Sequence, residues 1–313
     1  DENDGNKEII WGVFMQGKDG DRQWINFATW PKRILQYNNN WIDGWCAISP
    51  TLYSAEHFYT KEGKLPEKDP EFSQKNEWFA SASLSDRQEV IKLNVNREPR
   101  FYANLSFDGD DYSPIMCDGS PLRINLRDGN KQGYNPELFN RDYTVTGYIS
   151  KKYTAPEIRI SSVTGKDNRK NYAKPLFRLA ELYLNVAECY AALGDNKNAI
   201  KYLNPIRKRA GIPELTESDV TGDMSMMDWV RNERFVELWG EGHRFYDVRR
   251  WMIAEDTDNR MMHGFEITRN GERKTGRIID TRQHTFRKAM YFYPIPYKET
   301  VKSPDLLQNP YYE

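Results

Sequence analysis

The 313-residue sequence predicts a mainly α-helical fold with extensive irregular loops and short strands. Three observations carry that expectation. Apolar residues recur at helical spacing downstream of Pro175, turn-forming residues crowd positions 1–170, and no run approaches the ~18 apolar residues of a membrane span. At ~150 residues per domain the length suits two domains or one large one, and either can bury a sizeable core. The charges nearly cancel, with 45 Lys+Arg against 46 Asp+Glu. A basic protein that coats a polyanion is therefore excluded, and no nucleic-acid partner is expected.

Residues 1–170 read as a loop-rich region. Short β-like pieces such as 8–14 and 98–105 are separated by Gly, Asn, Asp and Pro clusters. Loops beyond ~12–15 residues are unusual in compact domains unless they bind something. Trp11, Trp24, Trp30, Trp41, Trp45 and Trp78 all fall in this half, which is therefore expected to bind the ligand. Cys46, Cys117 and Cys189 have neither disulfide nor metal spacing, and Cys189, inside an apolar helical run, reads as a small buried hydrophobe.

Residues 171–313 read as helical. Leu176, Leu179, Tyr183, Val186, Ala187 and Tyr190 lie mostly at steps of three and four, with Pro175 as the opening residue and Gly194-Asp195 as the break. A second helix carries Ala199, Leu203, Ile206 and Ala210, stops at Gly211 with Pro213 beyond, and is expected to kink at Pro205. Small residues Ala187, Ala191 and Ala199 at the contact, with Tyr190 and Tyr202 as wedges, make 176–211 resemble one tetratricopeptide hairpin. No second copy follows at the ~34-residue period, so a face formed by Leu176, Tyr183 and Tyr190 needs a cover.

A third helix is expected over 226–251. It spaces Glu233, Glu237 and Glu241 four apart, with Arg234, Arg244, Asp247, Arg249 and Arg250 close by. Two carboxylates near His243 invite an acid/base reading. The matched cations favour a structural ion-pair network instead, because planar guanidinium forks satisfy carboxylates. No nucleophile or phosphate loop accompanies them, so no catalytic residue, metal or cofactor is expected. Asp108-Gly-Asp-Asp111 lacks the alternating spacing of a calcium loop and reads as a solvated turn. Arg269, Arg273, Lys274 and Arg277 read as an exposed hairpin or loop around Asn270-Gly271.

The stretch Glu-Arg-x-x-Glu-Leu-x-x-Glu-Gly-x-Arg-x-x-Asp-x-Arg-Arg-Trp from Glu233 to Trp251 resembles the hallmark of SusD/RagB-like proteins, the surface nutrient-binding lipoproteins of Bacteroidota. Residues 177–188 resemble the family's tetratricopeptide-like helix, Tyr293-Pro-Ile-Pro296 its penultimate segment, 305–312 its C-terminal signature, and 8–11 the strand opening its middle region. The resemblance implies a SusD-like fold and a non-catalytic cell-surface receptor that delivers an oligosaccharide to a SusC-like TonB-dependent outer-membrane transporter. Family members begin with a signal peptide, a lipid-anchoring Cys and further helical pairs. The resemblance therefore implies that this sequence is a C-terminal portion, with outer-membrane attachment through an upstream lipid anchor and 176–211 as the last unit of a stack.

A sugar offers apolar C–H faces ringed by hydroxyls, and its site needs flat aromatic platforms with polar side chains at the rim. Tyr37-Asn-Asn-Asn-Trp-Ile-Asp-Gly-Trp45 supplies both. Trp41, Asp43 and Trp45 are two apart, so an extended backbone would present them together. Tyr37, Asn40, Trp41, Asp43 and Trp45 are the expected ligand contacts, with Trp78 beside them; core packing beneath loops is the alternative for the tryptophans. Two other functions remain open at this point. One is a helical-repeat adaptor for a protein or peptide, and the other is a glycoside hydrolase, which needs two carboxylates ~5–10 Å apart in an open cleft.

Overall fold

The computed structural model describes residues 6–14, 27–84, 89–135, 137, 141–168, 173–267, 273–303 and 305–312. In chain order the first half carries β1 (Ile9–Phe14), β2 (Leu35–Tyr37), β3 (Asn40–Ile42), α1 (Leu52–His57), β4 (Ser81–Ser83), β5 (Glu89–Ile91), α2 (Pro99–Asn104), β6 (Leu105–Phe107), β7 (Asp111–Cys117), β8 (Ser120–Arg123) and β9 (Tyr148–Ser150). Then come β10 (Ala173–Arg178), α3 (Leu179–Ala192), α4 (Asn196–Ala210), α5 (Met226–Glu237), α6 (His243–Arg250), α7 (Ala254–Thr257), β11 (Arg260–Ile267), β12 (Arg273–His284) and α8 (Tyr297–Lys302). The strands form separate antiparallel pairs, β1–β10, β2–β3, β4–β5, β6–β9, β7–β8 and β11–β12. The last pair supplies the hairpin expected near Asn270. Residues 268–272 between its strands, including Arg269, Asn270 and Gly271, lie outside the described residues, as do the side chains of Arg273, Lys274 and Arg277.

The hairpin α3–α4 forms because its inward positions are small or branched. Ala180, Leu184 and Ala187 of α3 and Ala199, Leu203, Ile206 and Ala210 of α4 are buried, and each buried leucine contributes roughly 1.5–3 kcal/mol. Asp195 caps α4 by accepting the Asn198 N–H at 3.0 Å, and Gly211, left-handed at φ 75°, ends it. Pro205 sits on the exposed side of α4, where the carbonyl it leaves without an amide donor faces water.

Helix α3 starts at Leu179 and not at Pro175. Residues 173–178 are drawn into β10 because β1 offers them a strand partner, with Pro175 opposite Gly12, and the Leu179 N–H donates to the Glu8 carbonyl. Tyr183 and Tyr190 do not form the bare face. They lie half-buried between the helices, Tyr190 stacked on Tyr202 at 5.7 Å. The exposed row is Leu182, Val186, Cys189 and Leu193, at steps of four, three and four, beside the exposed Ile10, Trp11, Val13 and Leu176 of the β1–β10 pair. Cys189 is thus on the surface, one helical step away from the buried stripe that holds Ala187. Among the described residues of the first half the helices span six residues or fewer, so no further hairpin of this kind occurs there.

The stretch 226–251 is two helices. Ser225 opens α5 in a reciprocal cap with Asp228, and the chain then breaks at Leu238, because Gly240 and Gly242 adopt left-handed φ of 74° and 89°. The break turns the acidic row of α5 toward cations from four other segments. Glu237 receives Arg178 Nη1 at 2.6 Å, Arg100 Nη1 at 2.9 Å, and Arg209. Glu233 receives Arg100 at 2.7 Å and Arg207 at 3.1 Å, and Glu241 receives Arg178 and Lys152, both at 2.8 Å. On the far side Asp247 takes Arg234 at 2.8 Å and Arg250 at 2.9 Å, while Glu188 takes Arg250 and the Trp251 indole N–H.

Two expected members stand apart from this network. Arg244 donates to the Tyr53 hydroxyl at 3.3 Å and lies over the Phe235 ring. Arg249 donates to the carbonyls of Phe245 and Met290 and sits 3.5 Å from the Phe245 ring centroid. Among the described residues neither reaches a carboxylate; the Phe235 and Phe245 rings and neutral oxygens receive them instead. The Asp108–Asp111 turn is also not solvated. Asp108 and Asp110 are buried and paired with Arg127 at 2.7 Å and Lys151 at 2.6 Å, and Asp111 holds Arg123 at 2.9 Å.

Burial alone would raise the Glu237 carboxyl, but Arg178, Arg100 and Arg209 outweigh it and hold its pKa at about 2. A carboxyl depressed in the fold contributes stability above its ordinary value of 4.5, and that contribution is lost as the pH falls through 2. Glu237→Gln should therefore lower unfolding free energy at pH 7 by about 3–5 kcal/mol, the cost of leaving buried cations without their partner. The gap between variant and parent should narrow as the pH is lowered from 4.5 toward 2, as followed by urea denaturation.

Candidate functional site

The surface built from Tyr37 to Trp45 starts with a two-residue turn. Asn38 and Asn39 both adopt left-handed φ, 49° and 61°, the conformation that lets a tight turn match the twist of β2 and β3. The register sets Leu35 opposite Ile42, Gln36 opposite Trp41 and Tyr37 opposite Asn40. Opposite residues share a face and faces alternate along a strand. Leu35 and Ile42 pack on a core of Trp30, Ile34, Tyr112, Met116 and Ile124, so Trp41 projects to the other side of the hairpin. Tyr37 and Asn40 share the Leu35 side, and the Tyr37 ring is closed over by Gly165, where an added Cβ would come within 2.6 Å of it. Asn40 is exposed and donates to the Asn38 carbonyl at 3.2 Å.

Trp41 is half-buried and carries two cations, Arg33 and Lys131, each 5.2 Å from its ring centroid. The exposed Asp43 accepts the Arg33 backbone N–H at 2.6 Å, which fixes Arg33, Trp41 and Asp43 as one group. Beyond it, residues 44–47 run beside 27–31. Gly44 N–H donates to Pro31 O at 2.9 Å, Trp45 N–H to Phe27 O at 2.6 Å and Cys46 N–H to Trp30 O at 2.9 Å. Gly44 and Cys46 face inward and Trp45 outward. Only glycine fits at 44, since a Cβ there would lie 2.2 Å from the Trp30 carbonyl oxygen.

Trp45 is 42% exposed, with one face stacked on Phe27 at 5.6 Å and 28°. Among the described residues no ring contact joins Trp41 to Trp45, so the two indoles are separate surfaces and not one stacked platform. Trp78 is a correction: its ring is 3% exposed within the main core and its N–H donates to Phe72 O at 2.6 Å, leaving no face for a ligand. Trp30 is buried in the same sense, and Trp24 lies outside the described residues. Lys131 comes from a distant loop and has no local signature that sequence reading could use.

His243 lies 3.8 Å from Glu181 at the start of α6, apart from the row of α5. The carboxylates of the hallmark stretch, Glu233, Glu237, Glu241 and Asp247, are each held by Arg or Lys.

The sequence profile of the SusD family matches residues 7–312. The chain belongs to the SusD family. Members of this family are non-catalytic carbohydrate-binding proteins. A SusD-like protein of Formosa agariphila, P25, is 32% identical over 136 residues, which is 43% of this chain and 23% of that protein. The solved structure of BT4246 is 46% identical and superposes with a TM-score of 0.88 over all of this chain and 53% of its own. A SusD-like protein of Bacteroides fragilis is 28% identical, with a TM-score of 0.71 over 99% of this chain and 55% of its own. The chain thus spans about half the length of the solved relatives it matches. The mixed, mostly helical SusD-like fold expected from the sequence is the one these structures share.

Because Gly44 touches the Trp30 backbone, Gly44→Ala should cost about 1–3 kcal/mol of stability through overpacking, measured by thermal denaturation. Its Trp45 fluorescence should shift as the 44–47 segment is pushed off 27–31.

Proposed function

We propose that this protein is a cell-surface glycan receptor that captures an oligosaccharide and delivers it to a SusC-like TonB-dependent transporter, held at the outer membrane by a lipid anchor upstream of these residues. Membership of the SusD family supports the carbohydrate reading. The observation that supports a site on this surface is the Trp45 indole, 42% exposed and stacked on one face by Phe27, with the Arg33–Trp41–Asp43 group on the same connection. A ring in that position can stack against sugar C–H groups while Asp43 and Asn40 accept and donate at the hydroxyls.

The alternative of glycoside hydrolysis requires an acid and a base or nucleophile in one open cleft. The hallmark carboxylates are occupied by guanidinium and ammonium groups, which favours binding without turnover.

A glycan array probed with the full-length lipoprotein should return polysaccharide ligands and no reducing-sugar release on the same panel. By analogy with aromatic platforms under nucleobases, Trp45→Ala and Trp41→Ala should each weaken the best ligand by about 1–3 kcal/mol in titration calorimetry, with folding unchanged. Unaltered affinity in both variants would move the site off this surface, and peptide ligands without glycan ligands would favour the adaptor.

A further inference from the structure

Outside that surface, a cavity of about 300 Å³ opens between α1, α5 and the α6–α7 connection. Its wall is partly apolar, from Leu65, Met224 and Ile253, and partly a cluster of rings, with Tyr53, His57 and Phe235 at centroid distances of 3.9, 4.8 and 5.7 Å. A second cavity of about 320 Å³ lies on the other side of Phe235 and Arg244, which line both. The volume is at the lower end of the ~300–1,000 Å³ of small-molecule sites, enough for a single sugar ring.

Two arginines line this cavity, Arg231 and Arg244. Arg100, Arg178, Arg207, Arg234 and Arg250 all meet carboxylates. Arg231, Arg244 and Arg260 do not, among the described residues, and neither do Arg97 and Arg249, which are spent on backbone carbonyls; of these five, Arg231 and Arg244 line the cavity. Arg244 lies 5.3 Å from the Phe235 centroid, Arg260 3.1 Å from that of Tyr53, and Arg231 5.4 Å from that of Trp251 with a buried Nε that has no acceptor among the described residues. Each guanidinium is thus desolvated on one face by an aromatic ring, which costs free energy that an incoming anion can return as charge-assisted hydrogen bonds. Two carboxylates also line the cavity, Asp228, whose Oδ2 caps α5, and the exposed Asp256, while Glu56 and Glu67 lie near enough to act on Arg260 and His57; the open hydrogen-bond positions of the arginines, and not a net positive charge, are what an anionic group would use. Burial pushes the His57 imidazole down to about 4, so this ring is neutral at pH 7 and adds apolar surface without charge.

We infer that this cavity binds an acidic sugar residue, a pyranose bearing a carboxylate or a sulfate. The anionic group would pair with Arg244 and Arg231, the C–H face would meet Leu65, Met224 and Ile253, and Thr257 and Asp256 would take hydroxyls. The inference rests on the carbohydrate reading above but places the acidic unit away from Trp45.

Titration calorimetry of the full-length protein with trigalacturonic acid, a 6-sulfated galactose oligosaccharide and neutral galactotriose tests it, the first two arms separating carboxylate from sulfate. At least one acidic probe should bind tenfold or more tighter than the neutral one. Arg244→Gln should reduce that binding at least tenfold, and Arg244→Lys less. Should Arg244→Gln fail to fold, the imidazole signals of the parent serve, since the chain has only 4 histidines. His57 should shift with the acidic probe and not with the neutral one. Acidic probes that bind no better than the neutral sugar, or an unmoved His57, overturn the inference. Retention of neutral-glycan binding at Trp45 in that case would leave the proposed function standing, whereas loss of all glycan binding would sink both.

Discussion

The joint between the helical and loop-rich halves depends on the need to satisfy Glu237. Its carboxylate is 3% exposed and meets guanidinium groups from α2, β10 and α4. A buried ion pair of this kind adds little net stability over a hydrophobic replacement, yet removing one partner is expensive, so its effect is to forbid alternative arrangements. Arg178 can reach Glu237, Glu241 and Glu8 only if β10 stops where α3 begins and β1 lies alongside. The strand that displaces the first turn of the expected helix is therefore the same feature that delivers the arginine. Arg100 and Lys152 bring the loop-rich half into the network, so the halves meet through matched charge as well as through the shared apolar core.

The loop-rich half has a different problem. Pairs of three- to seven-residue strands cannot close a sheet, and two-stranded ribbons are marginal alone. A second core around Trp30 and Met116 solves it by drawing in residues from 27 to 160. Packing of the 44–47 segment against 27–31 is tight enough to require glycine at 44, and the alternation it enforces is what turns Trp45 outward. Exposure of that indole follows from burial of its neighbours.

Those two constraints also explain what the sequence revealed and what it hid. The α3–α4 hairpin was legible because its inward residues recur at helical spacing and Gly194 and Gly211 mark its ends. The acid row was legible because Glu233 and Glu237 stand one turn apart opposite arginines. Hidden were features decided by distant partners: Pro175 reads as a helix start until β1 supplies a strand, and Trp78 reads like any loop tryptophan until Phe72 and the main core close over it. The split of 226–251 was visible in principle, since Gly240 and Gly242 are both left-handed, but a single glycine pair inside a strong apolar and acidic pattern does not by itself stop a helix. Arg244 and Arg249 were hidden for a related reason. Their spacing matches the acids, but the break after Leu238 rotates α6 and carries them to aromatic neighbours.

That rotation gives the hallmark stretch two distinct chemistries within twenty residues. Its first part, on α5, matches every acid to a cation and leaves no charge to act on a ligand. Its second part, on α6, keeps Asp247 and Arg250 in the same kind of match but turns Arg244 onto Phe235 beside a cavity. Among the described residues, an arginine held there by the backbone yet without an acid is stabilised by the ring beneath it and the Tyr53 hydroxyl, both weaker than a carboxylate. The same short sequence therefore both locks the fold, through the acids of α5, and leaves on α6 two guanidinium groups, Arg244 and Arg249, that rest on aromatic rings and neutral oxygens and not, among the described residues, on acids.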